Sequence, residues 1–190
     1  MIAKEISARK LIPLAAAFGA IYGTLRTVPF SVFIGPTGRV LTTSEFVAPL
    51  LGIILGPYAG SLAAIVGTFV GILATGRMNF FGLDFLPPMM NALVLGFLMR
   101  RKRIVSILLY SALLVLFFAR PYTLHLVSVT LPDGSLEVPF TWLHIVVWLL
   151  LASPVASRIP DWISVGNAWK AVGGACLLAL IGTMSQHLTG

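Results

Sequence analysis

Apolar residues in this chain fall in long blocks separated by short polar segments, and each block can be measured against the roughly 20 residues that carry a helix across a bilayer. The first block runs over about 11–33 and is interrupted near its far end by Arg26 and Pro29. Gly35-Pro36-Thr37-Gly38-Arg39 follows, a composition that suits a tight reversal. The next block, about 42–75, is too long for one helix. Gly56-Pro57 divides it into 42–56 and 57–75, since proline lacks a donor and disfavours helix in the residue before it.

A loop over 76–84 precedes a fourth span, 86–100, which opens with Pro87-Pro88 and ends on Arg100-Arg101-Lys102-Arg103. The fifth span covers 104–119. Residues 120–139 form the longest polar connection, with the turn signal Pro132-Asp133-Gly134. The sixth and seventh spans, 140–156 and 165–187, complete the pattern, with Lys170 one turn inside the last. The pattern predicts an all-α membrane helical bundle of six or seven transmembrane helices in one domain, 1–190.

Composition points the same way. Of 190 residues, 58% are hydrophobic and 10% charged, against about a quarter charged in a soluble domain. Thirteen Lys+Arg and six Asp+Glu give a net charge of +7. The basic groups cluster at Lys4, Arg9 and Lys10, at 100–103, and at Arg158 with Lys170, which reads as a topology signal placing the N-terminus in the cytoplasm of a multi-pass cell-membrane protein. Seven crossings would then leave Gly190 outside. No basic stripe interleaved with aromatics suggests a nucleic-acid partner. Cys176 stands alone in an apolar run, so an intrachain disulfide is excluded.

The catalytic motifs are missing. The sequence has no His-Glu-x-x-His pair, no Gly-x-Ser-x-Gly and no phosphate-binding glycine loop, so no enzyme activity and no cofactor are expected. His125, His144 and His187 are far apart in sequence; a haem between His144 and His187 is conceivable, with an interfacial role as the plainer alternative.

Two features carry functional expectations. Small residues recur at a spacing of four: Ala16 and Ala20, with Gly19 and Gly23 beside them, and Gly56, Gly60 and Ala64, then Gly67 and Gly71. In lipid, such strips let helix backbones approach closely, either inside the bundle or against a partner. Polar groups also gather toward the outer face: Arg39, Glu45, Arg77, Asn79, Asp84 and Asn91, with Phe80, Phe81, Phe85 and Tyr122. Aromatics with a few convergent polar groups suit a small-molecule pocket, and an aromatic interfacial belt is the alternative. Glu45 has a local explanation as well, in the first turn of a helix capped by Thr42 or Thr43, and Arg26 could reach lipid headgroups.

Leu50-Leu51-Gly52-Ile53-Ile54-Leu55-Gly56-Pro57-Tyr58-Ala59-Gly60 resembles the turn between the second and third helices of the substrate-binding S components of energy-coupling factor transporters. Ala16-x-x-x-Ala20 is similar to that family's docking motif, and the likeness covers about 11–103. It implies capture of a vitamin-like or nucleobase-like solute by outer loops around Arg39 and 76–84, with Arg39, Glu45, Arg77, Asn79, Phe81, Asp84 and Asn91 as candidate contacts. It also implies that the Ala16, Gly19, Ala20 and Gly23 face meets a transmembrane coupling subunit tied to ATPase subunits. The C-terminal half departs from the six-span pattern, as a re-entrant stretch or a missing last span would. A structural subunit of a larger membrane complex is the competing expectation.

Overall fold

The computed structural model describes residues 8–34, 39–78, 82–120, 123, 125–131, 134–164 and 166–189. Among these, eight α-helices, one π-helical turn and two β-hairpins follow one another. Helix α1 spans Ala8–Leu25, and a hairpin of β1 (Pro29–Ile34) and β2 (Arg39–Thr42) follows it. Next come α2 (Ser44–Leu50), the π turn Leu51–Leu55, α3 (Pro57–Thr75), α4 (Leu86–Met99) and α5 (Arg103–Phe118). A second hairpin, β3 (Leu126–Leu131) and β4 (Gly134–Pro139), leads to α6 (Trp142–Ala152), α7 (Pro154–Ser164) and α8 (Ala168–His187).

The chain is thus mostly helical but not all-α, and both hairpins lie where the hydropathy pattern reads otherwise. Helix α1 stops at Leu25 instead of running on to 33. Val28 precedes a proline, which disfavours helix there, and Phe30, Val32, Phe33 and Ile34 are the aromatic and β-branched types that favour a strand. Its pairing with β2 is irregular, Pro29 opposite Thr42 and Ile34 opposite Arg39. The 120–139 connection holds a regular antiparallel ladder from Leu126 opposite Pro139 to Leu131 opposite Gly134.

Length limits the membrane reading. Helices α3 and α8, of 19 and 20 residues, are long and apolar enough to cross a bilayer, and α6 with α7 makes a third candidate bent by 76°. The other apolar helices are shorter, and the 14 residues of α4 rise only about 21 Å against a hydrocarbon core of about 30 Å. Six or seven full-length spans are therefore not what the helix lengths give.

Two apolar interiors share α4. Ala15, Tyr22, Ala48, Leu51, Leu55, Ala59, Ala63, Ala64 and Ala92 form one, made by α1, α2, the π turn, α3 and one face of α4. Val94, Leu95 and Leu98 of α4 join Tyr110, Leu113, Phe117, Val147, Leu151, Ile159, Leu178 and Ile181 in the other. The first is built from small residues and close backbones. A Cβ on Gly23 would sit 2.8 Å from the Gly67 carbonyl oxygen, and one on Gly67 would sit 2.8 Å from Tyr22 Cδ1. Outside these interiors, Ile12, Tyr58, Leu73, Ile104, Val115 and Leu116 are exposed, an apolar exterior of the kind lipid covers.

Gly56 makes the break between the π turn and α3. Its φ of +83° is open to glycine at little cost, and Pro57 then supplies the preset φ of a first helical position. The widened turn before it follows Pro49, which has no N–H to hold α2 in regular register.

Candidate functional site

One group of polar side chains joins the ends of α1, α2 and α4 in the first half of the bundle. Arg26, one residue past α1, reaches across the chain: its Nη2 is 3.5 Å from Asp84 Oδ1, with side-chain exposures of 14% and 2%. The stem of Arg26 lies along Gly71 of α3, where a Cβ would meet Arg26 Cβ at 2.8 Å. Tyr22, fully buried one turn before, is within hydrogen-bonding reach of Arg26 and Ser44 and close to the charge of Glu45. Ser44 shares a 2.6 Å hydrogen bond with Thr42. Thr43 does not cap α2 through its side chain; its hydroxyl instead donates to the Leu25 carbonyl at 2.8 Å, tying α2 to α1.

This arrangement changes the role of Arg26. It is not a snorkelling residue reaching headgroups but half of a buried ion pair, so its charge is already matched by Asp84. Of the residues singled out in the sequence, Glu45 stands in the first turn of α2 beside this group, without the threonine side-chain cap that its local explanation includes. Arg77 is exposed just beyond α3, its backbone N–H donating to Thr75 Oγ1 at 3.3 Å. Arg39 opens β2, with its side chain outside the described set, and Asn79 and Phe81 lie outside the described residues altogether.

Asn91 belongs to a different place. It is fully buried on α4 against α8, where a Cβ on Gly182 would meet its Oδ1 at 2.8 Å and Nδ2 at 3.1 Å. Among the described residues neither Asn91 atom has a hydrogen-bond partner, and the same holds for Gln186 Nε2, His144 Nδ1 and, on α3, Thr68 Oγ1. Gln186 is one turn beyond Gly182 on α8. His144, on α6, meets His187 of α8 through a 3.0 Å Nε2 to Nδ1 contact. Phe117 and Phe140 pack on both histidine rings, at centroid distances of 4.9 to 6.3 Å, and Arg120 lies over Phe117.

A buried amide or imidazole with unmet hydrogen-bonding capacity costs stability, about 1–3 kcal/mol each. Three such groups at one end of α4, α6 and α8 are therefore unusual, and Phe117 and Phe140 add flat apolar faces beside the histidines. The two histidine nitrogens are in direct contact, whereas opposite ligands of one metal would stand about 4 Å apart. A haem between them does not fit this arrangement. No group of three or more metal-binding side chains occurs among the described residues. Gln186, Phe117 and Phe140 carry no signal in the sequence, and His144 and His187 stand out there only as a conceivable haem pair, 43 residues apart.

The small-residue strip of α1 divides by face. Gly19 and Gly23 are buried against α3, a Cβ on Gly19 falling 3.1 Å from the Ala63 carbonyl oxygen. Both are used for packing within the bundle. Ala16 and Ala20 are exposed, so an external docking face at this strip would rest on those two alone.

Fold and site together define a mostly helical protein with two or three helices able to cross a membrane and a buried, partly unsatisfied polar cluster. Comparison with protein-family models, curated proteins and solved structures gave no match.

Proposed function

We propose that this chain is the membrane-embedded solute-capture subunit of an ATP-driven importer of the energy-coupling factor type, taking a vitamin-like or nucleobase-like solute at its outer face. The observation that carries the reading is the set of buried polar atoms on Asn91, His144 and Gln186 that have no partner among the described residues, with Phe117 and Phe140 packed on the His144 ring. A flat solute with donors and acceptors on its edge would satisfy those atoms and stack on the rings. In this reading the solute-free protein bears a desolvation cost that binding removes. Arg26 is held by Asp84, which favours a neutral solute edge over an anion clamped by that arginine.

In the membrane, α1, α2 with its π turn, α3, α4, α5, α6 and α8 would make seven crossings, several of them short, with α7 lying flat. The basic 100–103 turn, Arg158 and Lys170 would face the cytoplasm, as would the N-terminus. Short crossings bring the hairpins and the 82–85 turn toward the hydrocarbon, where they can line a pocket.

Calorimetry of the purified protein against a panel of vitamins and nucleobases tests capture; a folded sample that binds none of them overturns it. Asn91→Leu is the sharper probe. It keeps the branched shape while replacing two unmet polar atoms by bulkier methyl groups against Gly182, so the solute-free protein should lose little or no stability while solute affinity falls at least about tenfold. Unchanged affinity would remove Asn91 from the site.

A structural subunit of a larger complex is favoured by one observation, the exposed Ala16 and Ala20 on a helix whose Ile12 and Ile21 are exposed as well. Ala16→Trp with Ala20→Trp should leave solute binding and thermal stability unchanged and abolish transport in the assembled importer. Loss of stability in the isolated subunit would show that the face packs internally.

A further inference from the structure

At the end of the bundle opposite the polar cluster, α7 is braced across the inner ends of α4 and α5. Arg103 of α5 donates to the Ser153 carbonyl at the start of α7 at 2.8 Å. Arg101 forms an ion pair with Asp161 near the other end of that helix. To do so Arg101 takes a left-handed backbone conformation, φ +59°, uncommon for a residue with a side chain and held here by the tight α4–α5 turn. The bend of 76° after α6 sets α7 crosswise to it. Helix α7 buries Ala156, Ile159 and Pro160 and exposes Ser157, Arg158 and Ser164, the division expected of a helix lying in a membrane surface.

The charges at this end are unevenly matched. Arg100 lays its guanidinium over the Gly56 backbone, and Arg101 and Arg103 are engaged as described. Lys102, Arg158 and Lys170 are exposed, and their side chains have no ion pair or hydrogen bond among the described residues. Asp161 is the one described carboxylate here, and Arg101 occupies it. Lys102 adjoins Arg101, and Arg158 lies one turn before Asp161, so that bridge brings the two free cations to one corner. Exposed Ile104 and Leu108 continue from that corner along α5, and Trp169, 86% exposed, stands beside Lys170. Unpaired cations bordered by outward apolar side chains and an interfacial tryptophan match a phospholipid, with phosphate at the cations and acyl chain along α5.

We propose that the corner formed by Lys102 and Arg158 is a binding site for the phosphate headgroup of an anionic phospholipid in the leaflet that α7 faces. The inference rests on the membrane reading and is independent of solute capture: a protein that bound no solute would still show it.

Native mass spectrometry of the detergent-solubilised full chain, with dioleoylphosphatidylglycerol and dioleoylphosphatidylcholine at equal mole fraction, tests the site. Wild type should retain the anionic lipid in preference by about tenfold or more, since each surface cation contributes roughly fivefold. K102Q/R158Q should bring the two lipids to within about twofold, while R77Q/R120Q, which removes the same charge at the other end, keeps the wild-type preference. Arg101 and Arg103 are left intact because they brace α7. Equal retention of both lipids by wild type, a full preference in K102Q/R158Q, or an equal loss in both double variants would each overturn the proposal.

Discussion

Replacing Asp84 with Leu should destabilise the protein by about 3–5 kcal/mol, the range found when one partner of a buried ion pair is removed. Arg26 would be left with an unmatched charge on a side chain only 14% exposed, wedged along Gly71 and unable to turn to water without opening the α1–α3 contact. Arg26→Met should cost a similar amount, because it takes the arginine from a carboxylate whose side chain is only 2% exposed. The double variant R26M/D84L should recover most of the loss, as apolar pairs of similar volume often replace buried ion pairs at little cost. Unfolding by SDS titration of all four proteins gives the coupling directly. Additive losses, with the double variant the least stable, would show that the two groups do not depend on each other.

A comparable loss is expected from the glycine seam. Gly67→Leu would drive a side chain into the Gly19 carbonyl and the Tyr22 ring, and both neighbours are fixed by α1. Overpacking of this kind costs about 1–3 kcal/mol, and here at least the upper figure, since the atoms met are backbone. Gly173→Leu on α8 is the matched control: nothing lies within 4 Å of a Cβ there, so stability should hold or rise slightly. A Gly67 variant as stable as the control would mean that α1 can shift away from α3 freely.

Parts of this architecture were legible because they are local. The Gly56-Pro57 break, the Pro87-Pro88 start of α4 and the basic turn after it are carried by residues whose backbone limits do not depend on the fold. The hairpins were not legible. Phe30 to Ile34 is apolar enough to prolong a helix on hydropathy alone, and only its aromatic and β-branched composition after Pro29 argues otherwise. The candidate site was readable only in outline. Asn91 and Asp84 could be named as polar residues at depth, but the sequence does not say that Asp84 is matched by an arginine 58 positions earlier while Asn91 is left unmatched. The partners that decide function are long-range, and so are His144 with His187 and Arg101 with Asp161.

Helix α4 answers to two interiors at once. Ala92 admits the close approach of Gly52, while Val94, Leu95 and Leu98 fill the opposite core, and Gly96 abuts Pro57. The exposed apolar sides of α3 and α5 can exchange one apolar residue for another with little penalty, since no described neighbour registers their shape. Positions on α4 have no such latitude, because a change that suits one interior alters the fit of the other. Mutational tolerance in this protein should therefore rise with distance from α4 rather than with distance from the chain's middle.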